Sequence, residues 1–375
     1  MKKRLFLQGK TWFAPSKKNT IWLPLVSLVI MVIYAWASLG RISTPTPYYE
    51  QQIAAARAMA RGMTALVEHR KIHGPALPPN DLNKTGLIGV EHSPLTTTLA
   101  PLWVKLTTAN PDMAALAVRL LWEGGVGPKE RVAVGLSGSF PALNLALITA
   151  LDALEIEGVI ISSLGSSTWG ANHPDLTWPD METILYKKGI IKQKSIALSP
   201  GGNKDLPSSY PPAGQKALQT IVKRWEGEFI NTGSLEGNVE RRLEIYGDGP
   251  YTAYVNIGGS LASLGSFSAL KLKPGVQSIK LPLPGTRPTS PLEVTQTGVV
   301  INLLDVGTLA LHYDLPLEPY PLPPIGKGAV YTGRAIPVTR ATIALLLSII
   351  TFMLPLISPR RKNKHPRGSS KGDVP

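Results

Sequence analysis

Two serines one residue apart, in Gly135-Leu136-Ser137-Gly138-Ser139, stand where a buried-type strand turns into an apolar helix. A strand-to-helix turn can expose a hydroxyl for nucleophilic attack, although this spacing is not the G-x-S-x-G of a nucleophile elbow. A serine nucleophile needs a base, and the chain has six histidines to offer. His173, in Trp169-Gly170-Ala171-Asn172-His173-Pro174-Asp175, follows the next strand and is the best placed of them. His92 comes second, and His365 lies in a tail that the charge pattern assigns to the cytoplasm. Ser137, Ser139 and His173 are therefore the candidates for a serine-type hydrolase or transferase. A single loop histidine is also what a purely structural turn would contain.

The same turn belongs to a series. The second strand ends in Ser162-Ser163 with Gly165, Ser166, Ser167 and Thr168 beyond it, and the third in Ser199-Pro200-Gly201-Gly202-Asn203. The fourth ends in Asn256 with Gly258, Gly259 and Ser260. Glycines let a ligand approach the backbone, hydroxyls donate hydrogen bonds, and helix N-termini favour an anion. The series describes a site of neutral donors suited to a carboxylate or a phosphate. Its rival reading is that glycine and serine are ordinary turn residues. Upstream, residues 85–98 (Thr-Gly-Leu-Ile-Gly-Val-Glu-His-Ser-Pro-Leu-Thr-Thr-Thr) gather Glu91, His92, Ser93 and further hydroxyls. They read either as a functional loop or as a threonine-rich capped turn.

Other chemistries are excluded. Residues 132–139 share a glycine and serines with the S-G-G-x-D-S loop of ATP pyrophosphatases but lack its aspartate, with Phe140-Pro141 where the loop should continue. No metal site is expected: there is no cysteine, no H-x-x-x-H pair and no acidic run of calcium spacing. No cofactor is expected.

The elements that would position these residues alternate. Ile53, Ala56, Ala60, Met63, Leu66 and Val67 recur at helical spacing and predict an amphipathic helix over 48–71. Asn110 and Pro111 suit the start of a helix running to Glu123. Strands are expected over 131–136, 158–163, 194–198 and 251–256, with helices over 141–154, 180–188 and 214–225, and a strand then a helix within 298–312. Strands alternating with helices imply parallel pairing and right-handed crossovers, so the fold class is α/β, a doubly wound, mostly parallel sheet. Residues 271–291 and 315–337 are crowded with proline and read as surface loops.

A formal net charge of +14 suggests nucleic acid until the charges are placed. Six basic side chains lie in residues 1–20, and from Arg340 onward seven stand against Asp373 alone, so the flanks hold twelve of those charges. The body is nearly neutral and offers no basic groove for phosphates. The uncharged runs at 21–39 and 341–357 predict two transmembrane helices, each with its basic cluster on the terminal side. The positive-inside rule then places the tails 1–20 and 358–375 in the cytoplasm and residues 42–338 outside it. Ala35-Trp36-Ala37 allows a second reading of the first run as a cleaved signal peptide, against which its length argues.

Residues 85–98, Asn110-Pro111-Asp112-Met113-Ala114-Ala115-Leu116, 132–144 and 163–175 resemble the family of poly-γ-glutamate system proteins. The resemblance runs through most of the chain between the two apolar runs. It implies an accessory protein of the bacterial cell membrane, encoded beside the synthase and export proteins of this capsular or released polymer and partnered with them. It carries over no catalytic residue, and His92 stands where the family is expected to have an aromatic one. An extracytoplasmic site of neutral donors would suit the carboxylates of such an anionic polymer.

Overall fold

The structure, a computed structural model, describes residues 19–40, 42–202, 204–283 and 285–357. The basic tails expected at 1–20 and 358–375 thus lie almost wholly outside the described residues, as does Asn203. The chain divides into two units, residues 45–333 and the chain on either side of them.

In the flanking unit, helix α1 (Asn19–Leu39) packs along helix α11 (Val338–Ile357), with the Arg340 guanidinium 5.4 Å from the Trp36 ring. Of the two spans expected, one is long and apolar enough to cross a membrane, Trp22–Leu39. The apolar stretch of α11, Val338–Leu354, falls short of that length among the described residues, so the expectation of two spans is met by one.

The body is mixed α/β, built on a mostly parallel sheet of seven strands. In chain order they are β1 (Arg131–Ser137), β2 (Glu157–Ser163), β3 (Ala197–Ser199), β4 (Glu228–Phe229), β5 (Ala253–Ile257), β6 (Gly275–Ser278) and β7 (Val299–Leu303). Across the sheet they run β6-β7-β5-β1-β2-β3-β4, all parallel except β6, which is antiparallel to β7. The order steps outward from β1 first through β2, β3 and β4, then on the other side through β5 and β7. Between β1 and β5 the direction of winding reverses, and in open α/β sheets the crevice beyond the strand ends at such a reversal is where ligands bind.

Both faces of the sheet are covered, which explains why its strands are apolar without alternation. Val132, Val134 and Leu136 of β1, with Ala253, Val255 and Ile257 of β5, enter one core. That core is shared with helices α2 (Tyr49–Ile72), α4 (Asp112–Glu123) and α5 (Pro141–Leu154). Ala133 and Tyr254, their odd neighbours in the period-2 pleat, enter a second core with Tyr246 of helix α8 (Leu235–Tyr246). Helix α7 (Pro212–Arg224) closes the third, over Leu198 of β3. Helix α5 is buried nearly all round, the signature of a core helix rather than a surface one. Gln52 ties α2 to the body's end: its amide donates to the carbonyls of Ala115 and Val330 at 3.0 and 2.9 Å.

Several boundaries differ from expectation. β3 begins at Ala197, not 194, and β5, the strand expected over 251–256, begins at Ala253; the short β4 between them lies outside the expected strands. Helix α6 (Trp178–Lys187) starts earlier than expected because Thr177 and Asp180 form a capping box around Pro179. Residues 271–291, expected as surface loop, contain β6, an edge strand of the sheet. The proline-rich 315–337 likewise contains the buried Val330 and Tyr331, and the Tyr331 hydroxyl donates to Asp112 at 2.7 Å.

Candidate functional site

The register of the sheet aligns the strand ends. Ser137 of β1 is the partner of Ser163 of β2, and Ser163 that of Ser199 of β3. A row of three serines therefore closes the carboxyl ends of adjacent parallel strands, and the turns that follow fold over it. The Gly138 amide donates to the Ser163 carbonyl at 2.8 Å and the Gly165 amide to the Pro200 carbonyl at 2.8 Å. These close approaches account for several of the glycines. A Cβ on Gly165 would stand 2.7 Å from the Gly202 nitrogen, and one on Gly258, where φ is +87°, would stand 2.7 Å from the Ser137 Cβ.

A cleft of about 190 Å³ opens beyond these ends. Ser137 and Ser139 enter it from the β1–α5 turn, Gly165 and Ser167 from the segment after β2, Gly202 from that after β3, and Gly259 and Ser260 from that after β5. Thr97 and Thr98 join it, brought there because Thr96–Thr98 pairs in parallel with Ser166–Ser167, and Leu99, Ala100, Phe140 and Leu304 supply its apolar wall. All four glycine- and serine-rich turns thus meet in one place. Six of the lining residues carry hydroxyls, and no acidic side chain is among them.

Behind one wall lies Lys105 of helix α3 (Leu102–Thr108), 2% exposed. Its Nζ donates to the Ser139 carbonyl and to the Ser167 hydroxyl, the latter at 2.7 Å, and stands 3.7 Å from the centre of the Phe140 ring. Serine 139, Phe140 and Ser167 all line the cleft. Burial with no carboxylate beside it pushes the Lys105 ammonium down to about 7, since desolvation penalises the charged form.

Beneath the row of strand-end serines lies a second cation. Arg242 is fully buried. Its Nη2 donates to Ser199 Oγ at 2.5 Å and to Ser163 Oγ at 3.0 Å, and lies 3.8 Å from the Asp205 carboxylate. Asp205 in turn accepts from Ser199 Oγ at 2.6 Å and from the Gly201 amide at 2.5 Å. Burial raises its carboxyl above the ordinary range, with Arg242 opposing. Ser163 Oγ donates to Ser260 Oγ at 3.2 Å, so this network reaches the cleft at Ser260.

Not every expected residue reaches the cleft. His173 lies on the short hairpin of Asn172–His173 and Leu176–Thr177, where its Nδ1 accepts from the Asp175 amide at 3.2 Å. It has no hydrogen bond to Ser137 or Ser139 and does not line the cleft, which removes the geometry of a His173-based triad. Ser166 is turned inward, its hydroxyl donating to the Gly138 carbonyl at 3.0 Å. Asn256 serves the turn and the neighbouring strand, donating to the Gly258 carbonyl at 2.8 Å and to the Asn302 side-chain Oδ1 at 2.9 Å. Gly138, Gly201 and Gly258 shape the turns behind the lining.

The segment 85–98 is held by Asn172, whose side chain accepts from the Val90 amide and donates to the Val90 carbonyl and to Thr96 Oγ1. Ser93 donates to the Asn172 carbonyl at 2.5 Å. Glu91 and His92 point to solvent, more than half exposed. Of that segment, its last two threonines belong to the cleft and its acid and imidazole do not.

Sequence reasoning missed Lys105, Phe140, Asp205 and Arg242. Lys105 interrupts the apolar Leu102-Trp103-Val104-Lys105-Leu106, and an isolated lysine in such a run was the available signal. Arg242 follows Asn238 and Val239 and precedes Tyr246 at helical spacing, on the buried stripe of α8. No family model, no curated protein and no solved structure matches this chain.

Proposed function

We propose that this chain is a membrane-anchored accessory protein of poly-γ-glutamate synthesis or export. In this reading a doubly wound α/β body, flanked by two membrane helices, stands outside the cytoplasm and holds carboxylates of the polymer at its strand ends. Six hydroxyl-bearing residues from four segments converge on a cleft with no acidic side chain among its lining residues; this observation carries the anionic ligand, and the resemblance of residues 85–98, 110–116, 132–144 and 163–175 supplies the polymer. Hydroxyl and backbone donors without a competing carboxylate suit an anionic ligand. The apolar helix Trp22–Leu39 and the basic flanks support the anchoring and its orientation. The synthase and export proteins of the polymer are the expected partners.

The test is calorimetric titration of the full chain in detergent with oligo-γ-glutamate. Saturable heat, weakened in Ser137→Ala and Ser260→Ala, is expected, as is reduced polymer output from cells lacking the chain. No heat, together with unchanged output, overturns the proposal. A second reading, a serine-type hydrolase or transferase acting on the polymer or the cell wall, draws its support from the contact between Lys105 and Ser167.

A further inference from the structure

We propose that Ser167 and Lys105 form a nucleophile–base pair that accepts an acyl group from an amide or ester carbonyl bound in the strand-end cleft. The choice of a γ-glutamyl amide as substrate rests on the binding role proposed above; the pair itself does not.

Three features of the geometry support it. The first is reach: 2.7 Å separates Lys105 Nζ from Ser167 Oγ, within the distance a general base needs to take a proton. The second is saturation. A neutral amine has two N–H donors and one lone pair. Here one donor meets the Ser139 carbonyl, the Phe140 ring covers another side, and the remaining contact is the Ser167 hydroxyl. With its second N–H toward the Phe140 ring, the neutral amine leaves its lone pair for the proton of Ser167, and no carboxylate stands beside Lys105 to balance an ammonium. The third is environment. The elements packed on α3 carry Asp152 on α5, and Asp305 and His312 at the two ends of helix α10 (Val306–His312). None of these acts on Lys105; burial alone shifts it, and it reaches neutrality near physiological pH.

The step balances without a co-reactant other than water. Ser167 Oγ forms a bond to the carbonyl carbon while its proton passes to Lys105 Nζ. The carbonyl–nitrogen bond then breaks, and the leaving amine takes that proton from Nζ. Water, or an amine of an acceptor, attacks the resulting ester by the same route and restores the hydroxyl. Gly202 and Gly259 also line the cleft, leaving no side chain between a bound carbonyl and their backbone. Serine–lysine pairs are an established variant of the serine nucleophile, and the base that His173 fails to supply is present in this one.

The test uses the full chain in detergent with a fluorophosphonate probe, the labelled residue being mapped by mass spectrometry. Labelling at Ser167 is expected, with a rate that rises as pH increases through about 7 and then levels. Ser167→Ala should abolish it, and Lys105→Met should slow it on the order of a hundredfold or more, with near-ultraviolet circular dichroism confirming that each variant folds. Because the wild-type chain alone gives both the site and the pH profile, a variant that misfolds does not decide the matter. Absence of wild-type labelling up to pH 9, or labelling at Ser137 or Ser139 instead, overturns the proposal. Oligo-γ-glutamate titrated into Ser167→Ala separates the two readings. Heat without wild-type labelling sinks the pair alone, while labelling at Ser167 without heat upholds the pair and moves its substrate to another acyl class.

Discussion

Arg242 and Asp205 face each other at 3.8 Å with neither side chain exposed. The pair is imperfect as an ion pair, and its strength comes from sharing Ser199, whose hydroxyl accepts from the guanidinium and donates to the carboxylate. Removing one partner of a buried pair leaves the other charge without compensation, typically at a cost of about 3–5 kcal/mol. Asp205→Ala should therefore destabilise the chain by on the order of 3 kcal/mol or more, read as a shift in the urea midpoint at unchanged slope. Asp205→Asn, which keeps an acceptor for Ser199 and the Gly201 amide, should lose less. Equal losses in the two variants would show that the acceptor for Ser199 and the Gly201 amide contributes nothing and that the lost charge accounts for the whole effect.

The turn after β5 offers a contrast between neighbours. Gly258 has φ of +87° and no room for a Cβ, the Ser137 Cβ lying 2.7 Å from where it would be. Gly259 has its nearest neighbour at 3.5 Å from that position, at the far end of the Leu270 side chain. Gly258→Ala should cost about 1–3 kcal/mol through strain alone and displace Ser137 from the cleft. Gly259→Ala should fold as the wild type does and narrow the cleft. Thermal unfolding of the two variants checks the first difference, and titration with oligo-γ-glutamate the second.

The contrast also shows what could be read before the structure. A strand followed by glycine and serine is visible as such, and four of them in an alternating pattern imply strand ends on one side of a sheet. Ser137, Ser139, Gly165, Ser167, Gly202, Gly259 and Ser260 were legible for that reason. The other half of the site is contributed by helix faces, where a polar residue is indistinguishable from a solvated one until the buried stripe is known. Arg241 and Arg242 are adjacent, yet one forms exposed ion pairs with Glu228 and Glu244 while the other is fully buried. The edge strand β6 was hidden because proline and lysine around it break the period-2 pattern, as edge strands commonly do.

Glu182 of α6 gives a prediction at acid pH. It is fully buried, one oxygen accepting from Ser195 Oγ at 2.9 Å and the other without a partner among the described residues. Burial pushes its carboxyl up to about 7 from an ordinary value of 4.5. The folded chain therefore holds a proton between those values that the unfolded chain releases, and stability falls as pH rises through that window. Glu182→Gln keeps an acceptor for Ser195 and has no charge to desolvate. It should gain on the wild type by on the order of 3 kcal/mol at pH 7 and above, and by little near pH 4. Parallel melting curves for the two chains from pH 4 to 8 would remove the argument.

Lys105 has the opposite sign and a different window. Its folded value is about 7 and its ordinary value 10.5, so between the two the unfolded chain binds the extra proton and stability rises with pH. Below about pH 7 the folded chain must bury an ammonium whose partners are a carbonyl, a hydroxyl and a ring. Lys105→Met should abolish this slope. The variant loses the contacts to Ser139 and Ser167 at every pH, but it escapes the buried charge, so its stability relative to the wild type should be best at pH 6 and worsen steadily toward pH 10. Measured by urea unfolding, that crossing pattern belongs to a base held neutral in the fold. A constant difference between the two chains from pH 6 to 10 would mean that Lys105 keeps its proton throughout, and a lysine that keeps its proton cannot take one from Ser167.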